Sequence, residues 1–209
     1  MSTLQRITSL WKFDESTLVL ILANVVTILM AVFQHWDIKT VLWIYWSQSV
    51  IIGIFNFFRI FGLKNFTTKG FKINGRPAQP TAATKRFTAI FFLLHYGIFH
   101  FVYLLFLVSR SRLDSTVIIP VFIAILAFLV NHAFSFFRNY QKDIVRKQNI
   151  GKVMFFPYAR IFPMHFIISG SLFGGSVALV LFLILKTVAD VIMHQVEHTQ
   201  GKGVNLFHV

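Results

Sequence analysis

The sequence reads as an all-α bundle of transmembrane helices, on three grounds. The chain of 209 residues is 56% hydrophobic, with 26 phenylalanines, and its mean hydropathy is +0.69. Only 13% of its residues are charged, about half the usual share for a soluble domain. Its apolar residues come in runs long enough to cross a bilayer, for which about 20 residues suffice, and the basic residues gather between the runs. A soluble domain this short could not bury so much apolar surface. A bilayer removes the difficulty, because the outer face of each helix also meets hydrocarbon.

The elements follow in order, as one transmembrane domain over 1–209. The N-terminal stretch MSTLQRITSLWKFDEST has no short apolar core followed by a small-residue cleavage site, so it is not expected to be a removable signal. Leu4, Ile7, Leu10 and Trp11 share one helical face, which predicts a short segment lying at the interface. A first span is predicted over 17–34 and a second over 40–62. A polar loop with Gly70, Gly75, Pro77 and Pro80 occupies 63–86. The third span covers 87–109 and the fourth 115–138, and the basic loop RNYQKDIVRKQNIGK follows. The last apolar tract, 154–198, would be about 65 Å long as one helix at 1.5 Å per residue. Two spans, 156–173 and 176–198, with a turn at Gly174-Gly175 fit better. The expectation is therefore six spans; the alternative is five plus an interfacial helix.

Charge sets the expected orientation. Lys64, Lys69, Lys72, Arg76, Lys85 and Arg86 lie in the first basic loop, and Arg138, Lys142, Arg146, Lys147 and Lys152 in the second. The opposite turns carry only Lys39, Arg110 and Arg112. By the positive-inside rule this predicts a multi-pass protein of the cell membrane with a cytoplasmic N-terminus. The net charge of +13 follows the same loop pattern and points to membrane lipids as partners, not to nucleic acid. There are no cysteines, which excludes disulfides, thiolate metal sites and cysteine nucleophiles.

The candidate site is polar and intramembrane. Asp190, His194, Glu197 and His198 recur at helical spacing along one face near the end of the last apolar segment. Ionisable residues in such segments are expensive and mark functional positions. In the six-span arrangement His95 and His165 each lie about 13 Å from the cytoplasmic face, Asp190 about 12 Å and His194 about 6 Å, counting 1.5 Å per residue. Imidazole and carboxylate without thiolate suit zinc or another divalent first-row metal. The expected ligands are His95, His165, Asp190, His194 and His198. Glu197, or Asp190, would be the catalytic carboxylate that orients a ligand or takes a proton from metal-bound water. His100 lies about 140° around the helix from His95, so the two cannot face one site, and His100 is expected to pack or bond between helices. His132 is likewise expected to bond across helices. Lys186, four residues before Asp190, can pair with it. Gly53, Gly97, Gly170, Gly174 and Gly175 would let helices approach closely.

Tyr45-Trp46 with Asn56, FFLLHYGIFH at 91–100, PYARIFPMH at 157–165 and KTVADVIMHQVEH at 186–198 resemble an uncharacterised family of small prokaryotic integral membrane proteins. His194 and His198 form an H-x3-H pattern similar to that of the last helix of the ceramidase and adiponectin-receptor membrane hydrolases. That resemblance implies an intramembrane zinc and a lipid-like substrate. The sequence departs from that superfamily in lacking its S-x3-H motif and in placing Asp190 on the last helix. The expected function is metal-dependent hydrolysis of a lipid or other amphipathic substrate. The alternatives are a proton-coupled transporter and a structural subunit without catalytic activity.

Overall fold

The computed structural model describes residues 21, 25, 28, 29, 32, 33, 35, 37–110, 113, 115–169 and 179–191. The chain divides into two compact units, one of residues 37–170 and one of residues 1–36 with 171–209.

The first unit is dominated by three long helices: α1 (Ile38–Gly62), α2 (Ala82–Arg110) and α3 (Ser115–Val145). Each contains a stretch long and apolar enough to cross a membrane, so the protein is a predominantly helical membrane-spanning protein. At 1.5 Å rise, the 25 residues of α1 extend about 37 Å, more than a hydrocarbon core of about 30 Å. Asp37 caps α1, its carboxylate accepting from the Lys39 amide at 3.2 Å. Thr81 does the same for α2, accepting from the Thr84 amide at 3.2 Å. Such caps satisfy amides that have no partner inside the helix.

The fourth predicted span was expected to end at 138. Instead α3 runs on to Val145. Phe136, Tyr140 and Ile144 recur at i, i+4 and i+8, and this apolar face continues past Arg138. Tyr140 lies against Gly62, and the Ile144 carbonyl accepts from the Lys64 amide at 2.7 Å. Tertiary contact thus extends the helix beyond its membrane-spanning stretch.

The polar loop after α1 is ordered. Strand β1 (Phe66–Thr67) pairs in parallel with β4 (Gln148–Asn149), so both basic connections meet at one end of the unit. Strands β2 (Lys72–Ile73) and β3 (Arg76–Pro77) form a hairpin around Asn74 and Gly75, with φ of 50° and 76°. Positive φ at both central residues is the turn that matches strand twist, and Asn-Gly is its favoured dipeptide.

The predicted fifth span is not a continuous α-helix. Residues 150–169 form α4 (Ile150–Phe155), a 3₁₀ turn (Phe156–Arg160) and α5 (Ile161–Ser169). Pro157 and Pro163 supply no amide hydrogen, which explains the local tightening. This segment nonetheless accompanies the long helices. It runs antiparallel to α1, where Arg59 bonds Gln148, Asn56 bonds Val153 and Tyr45 bonds Arg160. It runs parallel to α2, where His95 meets Tyr158 and Tyr103 meets His165.

In the second unit, residues 179–191 form helix α6, which buries Leu179, Phe182, Leu183 and Ala189. Most of the predicted first span, the turn at Gly174-Gly175, His194, Glu197 and His198 lie outside the described residues.

Candidate functional site

Mid-span in the first unit, α1 and α2 approach closely enough for polar side chains to meet. Gly53 makes this possible: a Cβ there would stand 2.5 Å from Cε1 of Tyr96. With only hydrogen at Gly53, the Tyr96 ring crosses α1 and its hydroxyl reaches Ser49. Small residues at such crossings let membrane helices exchange packing and hydrogen bonds in the absence of a strong hydrophobic force.

Hydrogen bonds link the resulting cluster. His100 Nδ1 lies 2.9 Å from the Tyr96 carbonyl oxygen. A carbonyl only accepts, so Nδ1 carries the proton and Nε2 of the neutral ring is an acceptor. Ser49 Oγ lies 2.9 Å from Nε2 and donates to it. The Tyr96 hydroxyl lies 2.7 Å from Ser49 Oγ and also donates to the Ser49 carbonyl at 3.2 Å. Tyr96 also stacks on the His100 ring, with centroids 4.2 Å apart. Trp46 Nε1 donates to the His100 carbonyl at 2.9 Å. The group is deeply buried, with Ser49 1% and His100 5% exposed.

The structure overturns the expectation for one of the two histidines on α2 and bears out the other: His100 does bond between helices, to Ser49 on α1. His95 was expected in the interior as a metal ligand, and His100 to pack or bond between helices. The structure buries His100 in the polar cluster and leaves His95 exposed. The spacing argument held that the two point in different directions, and they do. It carried no information on which direction faces α1.

His95 Nδ1 lies 2.8 Å from the Tyr158 hydroxyl on the 3₁₀ turn. His165, on α5, meets Tyr103 at 3.4 Å. Because Tyr103 lies two turns beyond His95 on α2, the two imidazoles sit at levels about 12 Å apart by helical rise. The expected common layer of His95 and His165 is therefore not formed. The reason is the earlier start of the fifth helical segment, at Ile150, which carries His165 further across the unit. His132 on α3 stacks on Phe128, centroids 5.6 Å apart, and lies against Phe55 on α1.

In the second unit, Lys186 Nζ meets Asp190 Oδ2 at 2.6 Å, the pairing that the i, i+4 spacing predicted. The carboxylate named as a metal ligand and catalytic group is thus already charge-compensated along its own helix. Among the described residues, no three His, Asp or Glu side chains gather as a metal-binding group.

Ser49 is one of the polar residues of the second predicted span, a type that joins helices by hydrogen bonds, but nothing in the sequence singles out Tyr96. No contiguous motif links positions so far apart in the chain. The available signals were Ser49 within an apolar span and Gly53 one turn beyond it.

Fold and site together define a helical membrane protein with a buried serine–histidine–tyrosine cluster. The chain belongs to a family of unknown function, DUF6498, whose model matches residues 10–205. Comparison with curated proteins and with solved structures gives no match.

Proposed function

We propose that the protein is a membrane-embedded hydrolase of acyl compounds, with Ser49 as nucleophile and His100 as general base. The observation that carries this reading is the hydrogen bond from Ser49 Oγ to His100 Nε2, at 2.9 Å, on a ring whose Nδ1 is held by the Tyr96 carbonyl. Nucleophile, base and orienting group in that relation are the recurring parts of an activated hydroxyl. In the first step Ser49 Oγ bonds to the acyl carbon, and His100 takes the hydroxyl proton. The bond to the leaving group breaks, and His100 returns that proton to it. Water then attacks the acyl-serine, giving a proton to His100. The acyl–Oγ bond breaks, the acid departs and Ser49 regains its proton. Tyr96, whose hydroxyl lies 2.7 Å from Oγ, is placed to donate to the oxyanion as it forms.

The test is covalent trapping. A fluorophosphonate probe should modify Ser49 of the purified full chain in lipid vesicles, and Ser49→Ala should abolish the adduct. His100→Gln should slow modification by about a hundredfold or more, the usual scale of general-base assistance. Modification absent from wild type, or equally fast in His100→Gln, overturns the reading.

A second reading keeps the metal. His194 and His198, with Asp190, would hold a zinc ion or another divalent metal, which would supply an activated water. What supports it is the recurrence of Asp190, His194 and His198 at helical spacing in the last apolar segment. Stoichiometric metal in purified protein, lost in His194→Ala and His198→Ala, would favour this reading. Metal content unchanged by both would end it.

Six crossings with the N-terminus in the cytoplasm remain the proposed topology. Its support is the passage of 150–169 alongside α1 and α2 and the meeting of both basic connections at one end of the unit. The substrate is proposed to be lipid-like, in keeping with a site at span depth.

A further inference from the structure

Ser49 is only 1% exposed, so a nucleophile there needs a route that this arrangement closes. One element packed against the cluster is the 3₁₀ turn, Phe156–Arg160. Tyr158 on this turn separates the buried cluster from the exposed face of α2. Its ring meets the edge of Tyr96 at 5.4 Å and of Phe92 at 5.9 Å. Its hydroxyl points the other way, to His95 at 2.8 Å. Around His95 the surface is apolar and open, with Phe91 42% and Phe155 60% exposed. Pro157 within the turn and Pro163 just after it have no amide hydrogen to donate, and a 3₁₀ stretch within a longer helical run is a common hinge. On its other side the turn is anchored by the Tyr45 hydroxyl, which donates to the Arg160 carbonyl at 3.2 Å.

We propose that Tyr158 is a lateral gate, latched by His95, through which a bilayer-resident acyl lipid reaches Ser49. This rests on the serine nucleophile proposed above and assigns its substrate class. When the latch breaks, Tyr158 swings off the Tyr96 ring toward the hydrocarbon side, and Tyr45 keeps the rest of the turn in place. Entry then comes from the membrane and not from water. Tyr158 and His95 act as positioning residues, with no part in the bond-making steps.

The experiment uses the full chain in lipid vesicles and two fluorophosphonates. One bears a long alkyl chain and partitions into the bilayer. The other bears a fixed charge and stays in water. Adducts on Ser49 are followed by peptide mass spectrometry. The gate predicts modification by the alkyl probe and none by the charged one. Tyr158→Phe keeps the ring but removes the latch, and should speed the alkyl probe about fivefold, the effect of one ordinary hydrogen bond. His95→Leu removes the latch from the opposite side and should act likewise. Equal rates in wild type and both variants, or ready modification by the charged probe, would overturn the gate while leaving Ser49 as nucleophile. An adduct from neither probe on any variant would remove the nucleophile and the gate with it.

Discussion

Replacing Gly53 by alanine puts the central contact of the first unit to the test. The added Cβ would lie 2.5 Å from Cε1 and 2.8 Å from Cδ1 of Tyr96, well inside van der Waals contact. The ring must retreat by about an ångström, since carbon atoms settle at about 3.5–4.0 Å. It cannot retreat freely, because Phe92, His100 and Tyr158 surround it with centroids 5.0, 4.2 and 5.4 Å away. Overpacking of this kind costs about 1–3 kcal/mol. Moving the ring also strains the Tyr96–Ser49 hydrogen bond, worth about 1 kcal/mol net. The expected loss is about 2–4 kcal/mol, read as a lowered midpoint in denaturant-detergent unfolding, with loss of fluorophosphonate modification at Ser49. The Gly53→Ala, Tyr96→Ala double variant removes the clash. Its destabilisation should fall short of the sum of the singles by more than about 1 kcal/mol, as coupled neighbours do. A Gly53→Ala protein as stable and as reactive as wild type would refute the close approach of α1 and α2.

Three further outcomes are expected. Asn56→Leu loses the bond from Nδ2 to the Val153 carbonyl, 3.1 Å, and should lower stability by about 0.5–1.5 kcal/mol in the same unfolding assay; no change would mean that α1 and the 150–169 segment are not joined there. Gly75→Val places a β-branched side chain at φ 76°, at a cost of at least about 1–2 kcal/mol. Hydrogen exchange should then quicken over 71–78 and leave α1 and α2 unaffected, and uniform loss of protection would contradict a locally held hairpin. Lys186→Met leaves Asp190 without the cation 2.6 Å away; it should destabilise more than the Lys186→Met, Asp190→Leu pair, because a stranded charge costs more than a removed pair, and the opposite order would show that the pair does not act as a unit.

Composition and periodicity alone determined that this is a helical membrane protein, because burial in lipid is the only way so short a chain can remove that much apolar surface from water. Loop charge placed both basic connections on one side, and the β1–β4 pairing joins them there. Local chemistry was also readable one residue at a time. Asn74-Gly75 specifies its turn, and Lys186 at i, i+4 specifies the partner of Asp190. What the sequence alone could not supply was the rotation and level of one helix against another. In an apolar span, lipid and protein are nearly equivalent solvents for leucine and phenylalanine, so the inward face carries little hydrophobic signature. That is why His95, expected in the interior, lies exposed, and why His165 moved two turns from the level expected of it. Only the tertiary fold, by seating Tyr96 over the bare backbone of Gly53, brought Ser49 within reach of His100.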